Sequence, residues 1–83
     1  MVARRIACRR VFHVGPAYEL ACSARAFPCA IEIRTSSGTF DAKSGLKILQ
    51  ARLVPEKDLE VRCSGEREEE ALEIVCELIG RHA

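Results

Sequence analysis

A histidine, His13, stands three residues before a proline, Pro16, in the stretch V-F-H-V-G-P-A from Val11 to Ala17. A good helix-forming sequence follows that proline. Proline suits the first position of a helix, because its missing N–H would be unpaired there and its φ is already helical. The spacing therefore puts His13 and Gly15 at the mouth of a helix N-terminus, where free N–H groups and the positive dipole end favour an anion. An imidazole in that position can accept a phosphoryl group, and the new negative charge is stabilised where it forms. The same stretch also fits a surface or capping histidine, so the rest of the chain has to decide.

Composition removes several alternatives. Thirteen basic residues against twelve acidic ones leave a net charge of +1, which offers no broad electrostatic footprint for nucleic acid. One tyrosine, three phenylalanines and no tryptophan give no base-stacking platform either. No apolar run is long enough to span a membrane. The first ten residues interrupt their apolar side chains with arginines, unlike the continuous apolar core of a signal peptide. A cytoplasmic, monomeric domain is expected, with a modest core as befits 83 residues.

Five cysteines, Cys8, Cys22, Cys29, Cys63 and Cys76, include no C-x-x-C pair, so no zinc knuckle or thioredoxin-type motif is written here. No metal or other cofactor is expected. Several of the cysteines fall in phase with apolar neighbours and read as buried, reduced thiols; a redox-active pair is the alternative.

The elements that position the histidine follow from periodicity. Arg4 to Arg10 reads as a strand with Ile6 and Cys8 inward, and Arg5, Ala7 and Arg9 outward. Arg4, Arg5, Arg9 and Arg10 would form a solvated edge or face. A first helix is predicted from Pro16 to about Phe27, with Ala17, Leu20, Ala21, Ala24 and Phe27 as its apolar stripe and Pro28 as its stop. Cys29 to Thr35 alternates as a second strand. It turns at Ser36-Ser37-Gly38 into a short strand, Thr39 to Asp41. Ser44 is a helix N-cap candidate for a short helix from Gly45 to about Arg52. Leu59 to Cys63 is the last strand. A final amphipathic helix starts beyond Ser64-Gly65, carries Glu66, Glu68, Glu69 and Glu70 at its start, and ends at Gly80. The order β-α-β-β-α-β-α implies an α+β open-faced sandwich in one domain, a four-stranded antiparallel sheet covered on one face by three helices.

Three blocks of this chain resemble HPr, the histidine phosphocarrier family of the bacterial phosphoenolpyruvate-dependent sugar phosphotransferase system. The family's G-[IL]-H-A-R-P-A corresponds to V-F-H-V-G-P-A. Its A-K-S-[IL]-x-x-[LV] corresponds to A-K-S-G-L-K-I, from Ala42 to Ile48. Its G-x-[DE]-[DE]-[DE]-[DE]-A-[LI] corresponds to G-E-R-E-E-E-A-L, from Gly65 to Leu72. Each block is weak alone, but all lie at the family's mutual distances without gaps. The resemblance implies that His13 takes a phosphoryl group on Nδ1 from phosphorylated enzyme I and hands it to a sugar-specific enzyme IIA. It implies a regulatory phosphorylation position at Ser44, served in some bacteria by a serine kinase/phosphorylase, although Ser44 fits a plain N-cap equally well. It also implies a partner-docking patch near His13, falling on Val14, Ala17, Gly45, Leu46, Lys47 and Leu49.

The departures concern the active-site loop. Gly15 stands where the family has an arginine, which removes a charge-assisted contact worth roughly 1.5–3 kcal/mol. Arg9, Arg10 and Arg25 are the cations that could replace it. Val11 replaces a glycine, and Tyr18 adds bulk beside the site. The expected function is thus a phosphocarrier with altered transfer rather than a stand-alone enzyme. The alternatives are a regulatory adaptor with an inert His13, and an accessory protein that shares only the scaffold.

Overall fold

The structure, a computed structural model, describes residues 1–7, 13–51 and 58–82. It contains β1 (Val2–Ala7), α1 (Val14–Arg25), β2 (Ala30–Thr35), β3 (Gly38–Asp41), α2 (Gly45–Gln50), β4 (Asp58–Ser64) and α3 (Glu68–His82). The strands form one antiparallel sheet in the order β1-β4-β2-β3. Cys8, Arg9, Arg10, Val11 and Arg52, which entered the sequence reading, lie outside the described residues.

Alternation decides which face of the sheet is covered. Leu59, Val61 and Cys63 of β4 face Ile31 and Ile33 of β2, and all are buried under the helices. The stripe on α1 is buried as its spacing predicts, through Ala17, Leu20, Ala21, Ala24 and Phe27. α3 contributes Ala71, Leu72, Val75, Leu78 and Ile79, with Cys76 beside them. The opposite face carries charges of opposite sign across neighbouring strands. Glu60 of β4 pairs in register with Arg5 on one side and Arg34 on the other, and Arg62 with Glu32.

Arg4 is exposed on the edge strand β1, in keeping with the solvated edge expected of the arginines; it shares the helix-side parity of Val2 and Ile6 and lies near Cys76. Two local expectations are corrected. α3 does not end at Gly80 but continues to His82, since one glycine costs a helix only about 1 kcal/mol and Gly80 does not adopt a positive φ. Glu66 precedes α3 instead of opening it. The reversal is made by Gly65 at φ 127° and Arg67 at φ 63°, with Gly65 N donating to Glu68 Oε1 at 3.1 Å. Arg67 is held in its left-handed conformation by stacking 5.0 Å over the Phe27 ring and pairing with Glu70 at 2.9 Å.

Among the described cysteines, Cys29, Cys63 and Cys76 are buried and free, while Cys22 is exposed on α1, against the general expectation of burial. Burial, with Cys29, Cys76 and Glu68 nearby, pushes the Cys63 thiol from its ordinary 9.0 up to about 11. Site-resolved alkylation of the native protein at neutral pH is expected to modify Cys22 and spare Cys29, Cys63 and Cys76. The unfolded chain releases the Cys63 proton near 9.0 and the native state near 11, so the unfolded state binds fewer protons between them. Cys63 therefore supports the fold fully below that window, and the urea midpoint is expected to fall as pH rises through it.

Candidate functional site

His13 is the N-cap of α1. Its backbone is extended, at φ −87° and ψ 178°, and its carbonyl accepts the first helical hydrogen bond from Ala17 N at 3.0 Å. Its side chain makes no capping hydrogen bond and is exposed, which leaves the imidazole available for chemistry. The helix thus starts two residues earlier than the proline rule predicts, and Pro16 occupies its third position. The missing N–H costs nothing there either, because every N–H of the first turn lacks a helical partner. Gly15 eases the early start, since the residue before a proline is kept from helical angles partly by its own Cβ. The N–H groups of Val14 and Gly15 remain free of helical partners at the mouth beside His13.

Gly15 is exposed, and among the described residues a Cβ built on it meets nothing within 4 Å outside its chain neighbours and its own helix backbone. The position of the family arginine is therefore not filled by another of the described residues. Arg25 does not substitute for it. It is the last residue of α1, about 18 Å along the axis from His13, and its Nε donates to Lys43 O at 2.8 Å. Arg9 and Arg10 lie outside the described residues.

Ser44 is the N-cap of α2, as its sequence context predicts. Its Oγ accepts from Lys47 N at 3.2 Å and its carbonyl from Ile48 N at 3.0 Å. The turn before it is closed by Lys43 N donating to Asp41 Oδ1 at 2.9 Å, and is tied to the end of α1 by Lys43 Nζ donating to Phe27 O at 2.7 Å. Ser44→Ala is expected to lower unfolding free energy by about 1 kcal/mol, and Ser44→Asp, which keeps an acceptor, to restore most of it in a urea titration.

α1 and α2, the helices that carry the site residues read from sequence, lie side by side, with the Tyr18 ring against Gly45. Val14 (60%) and Leu46 (57%) are exposed, Lys47 is exposed and Leu49 is half-buried. Ala17 is fully buried in the core and Gly45 is buried beneath the Tyr18 ring, so neither presents a surface to a partner. Ala17 falls on the inward stripe that also carries Leu20, Ala21 and Ala24, and a helix cannot turn that stripe both ways. Tyr18, noted from sequence only for its bulk, is the side chain that joins the two helices. The signal for its role was its pairing with a glycine at the first position of α2, which no local rule links to a residue of another helix. Among the described residues no group of three histidine, cysteine or acidic side chains could hold a metal ion, and no helix is long and apolar enough to cross a membrane.

A four-stranded open-faced sandwich with a histidine capping its first helix and a serine capping its second is the architecture of histidine phosphocarriers. The family described as the PTS HPr component phosphorylation site matches residues 4–81, and the chain belongs to the HPr family of the phosphotransferase system. Solved structures agree. HPr-C-His from Thermoanaerobacter tengcongensis superposes with a TM-score of 0.88 at 23% identity, over 99% of this chain and 94% of that one. The phosphocarrier protein HPr from Bacillus anthracis does so with a TM-score of 0.81 at 25% identity, over 94% and 95%. The catabolite repression protein Crh from Bacillus subtilis, a swapped dimer, has the same fold at 19% identity, with a TM-score of 0.80 over 100% and 98%. No curated protein matches the chain by sequence.

Proposed function

We propose that the protein is a phosphocarrier in which His13 accepts a phosphoryl group from enzyme I and passes it to an enzyme IIA-type partner, acting as a single chain. The observation that carries this reading is the exposed His13 imidazole, uncommitted to capping, beside the free N–H groups of Val14 and Gly15. In the proposed step a His13 ring nitrogen attacks phosphorus, an N–P bond forms, and the bond to the donor breaks. The helix mouth offsets part of the added negative charge. Without a guanidinium at position 15, that stabilisation is weaker than an arginine would supply.

A second reading is a regulatory adaptor that acts by protein binding, with Ser44 as a phosphorylation site for a serine kinase/phosphorylase. Gly15 favours it, because a histidine that transfers nothing needs no cation beside it. Phosphate on Ser44 would add charge beside Leu46 and Lys47 and repel an acidic partner. The two readings separate in a relay assay. The protein is charged by phosphoenolpyruvate and catalytic enzyme I, and enzyme IIA is then added. Passage of phosphoryl to enzyme IIA, lost in His13→Ala, supports the carrier. Partner binding by native protein and His13→Ala alike, without passage, supports the adaptor.

A further inference from the structure

The sheet order leaves β1 at an edge. It pairs with β4 on one side only, so among the described residues its outward N–H and C=O groups have no strand partner. α3 packs beside that edge, and a groove runs between the two. In its first half Val2 and Arg4 face Glu69, Leu72 and Glu73. In its second half Arg4 and Ile6 face Glu73, Cys76 and Glu77. Arg4 and Glu73 belong to both halves, so the groove is continuous and α3 runs along β1 in the same direction. Its floor is apolar, since Leu72 and Cys76 are buried and Val2 and Ile6 are half-buried against the core. Its outer wall is acidic, because Glu69, Glu73 and Glu77 are exposed one turn apart. The other edge of the sheet is β3, which α2 contacts, and the groove takes in neither His13 nor Ser44.

The charges of the wall are not balanced within the chain. Glu77 pairs with Arg81 at 3.0 Å, and Glu70, beside the wall, pairs with Arg67 at 2.9 Å. Glu69 and Glu73 have no ion pair among the described residues, and like charges four apart on a helix repel. Among the described residues Arg4 is the only cation lining the groove. The edge lacks a strand and the wall lacks cations. One ligand supplies both. Residues four apart stand about 6 Å apart along a helix, and alternate residues of a strand about 6.7 Å apart. A strand added beside β1 therefore lays its helix-side residues nearly in step with Glu69, Glu73 and Glu77. In such additions the backbone supplies affinity and the alternate side chains supply selectivity. The wall repels an acidic strand, whereas lysine or arginine at alternate positions meets the two unpaired carboxylates. A second copy of β1 is a poorer match, because its helix-side row of Val2, Arg4 and Ile6 brings one cation to three carboxylates.

We propose that β1 takes up an extended basic segment of a partner protein as a fifth strand of the sheet, with lysine or arginine at alternate positions against Glu69 and Glu73. The inference goes beyond phosphoryl transfer. It gives the protein a second interaction surface, on the opposite sheet edge from β3 and independent of His13.

The test titrates the full chain with a blocked peptide as long as β1 in which lysine and threonine alternate, and with a peptide of the same composition whose lysines are grouped. Kd is read from amide chemical shifts, and amide hydrogen exchange locates the contact. The alternating peptide is expected to slow exchange at β1 and to bind about tenfold tighter than the grouped one. Glu69→Gln/Glu73→Gln is expected to raise its Kd about tenfold, with a thermal melt to verify folding. Equal Kd for the two peptides overturns the inference, as does an unchanged Kd in the folded double variant. Protection that falls on other elements and not on β1 overturns it as well. If β1 protection grows with protein concentration and the peptide does not displace it, the edge belongs to a second copy and the inference is overturned. If the double variant does not fold, the two peptides on native protein decide. None of these readings depends on phosphoryl uptake.

Discussion

Gly15→Arg is expected to accelerate phosphoryl uptake at His13 by on the order of ten- to a hundredfold. A well-formed guanidinium contact to phosphoryl oxygens is worth roughly 1.5–3 kcal/mol, and about 1.4 kcal/mol corresponds to a factor of ten. The geometry permits the change. Among the described residues nothing outside its own helix and chain neighbours lies within 4 Å of the new Cβ, and the position is exposed, so the side chain can extend without repacking the core. Thermal stability is expected to move little. Leaving glycine favours a helix, while a Cβ before Pro16 disfavours helical angles at position 15, and the two effects oppose each other. The rate is read by quenched-flow phosphorylation with enzyme I in excess. No acceleration with an intact fold would mean that the helix mouth already supplies the stabilisation an arginine brings. Uptake by Gly15→Arg with none by the native protein would mean that the scaffold is intact and the chemistry has been lost, and the adaptor reading would lead.

Leu20→Ala is expected to cost about 2–5 kcal/mol, because Leu20 is fully buried in the core and its removal leaves a cavity. That is a large share of the roughly 5–15 kcal/mol that holds a small domain folded, and it corresponds to a fall in melting temperature of about 10–40 °C. Leu46→Ala, at a mostly exposed position, is the internal comparison and is expected to shift stability by less than about 0.5 kcal/mol. Chemical denaturation of the pair measures the difference. The comparison separates the two uses of leucine in this chain, one anchoring the helix that carries His13 and the other exposed on α2.

The scaffold was legible because alternation and helical spacing are written locally. Cys29, Ile31 and Ile33 recur every second residue, as do Leu59, Val61 and Cys63, and the structure buries all of them against the helices. The Ser44 cap was legible for the same reason, since its acceptor is needed three residues away, at Lys47 N. Errors arose where one local feature outweighs another, or where a neighbour distant in sequence decides. Pro16 marks a helix start by preference, but His13 caps α1 and Gly15 relieves the restriction before the proline, so α1 begins earlier. Ala17 and Gly45 were assigned to the docking surface by resemblance. Their small side chains instead serve close approach, one of α1 to the core and the other of Tyr18 to α2.

The central claim is that His13 carries phosphoryl groups despite Gly15. Intact mass of the purified protein, after incubation with phosphoenolpyruvate and a catalytic amount of enzyme I, tests it most directly beside His13→Ala. The account predicts an acid-labile gain of one phosphoryl group in the native protein and none in the variant. No gain in the native protein, with enzyme I from the same source active on another acceptor, would contradict it.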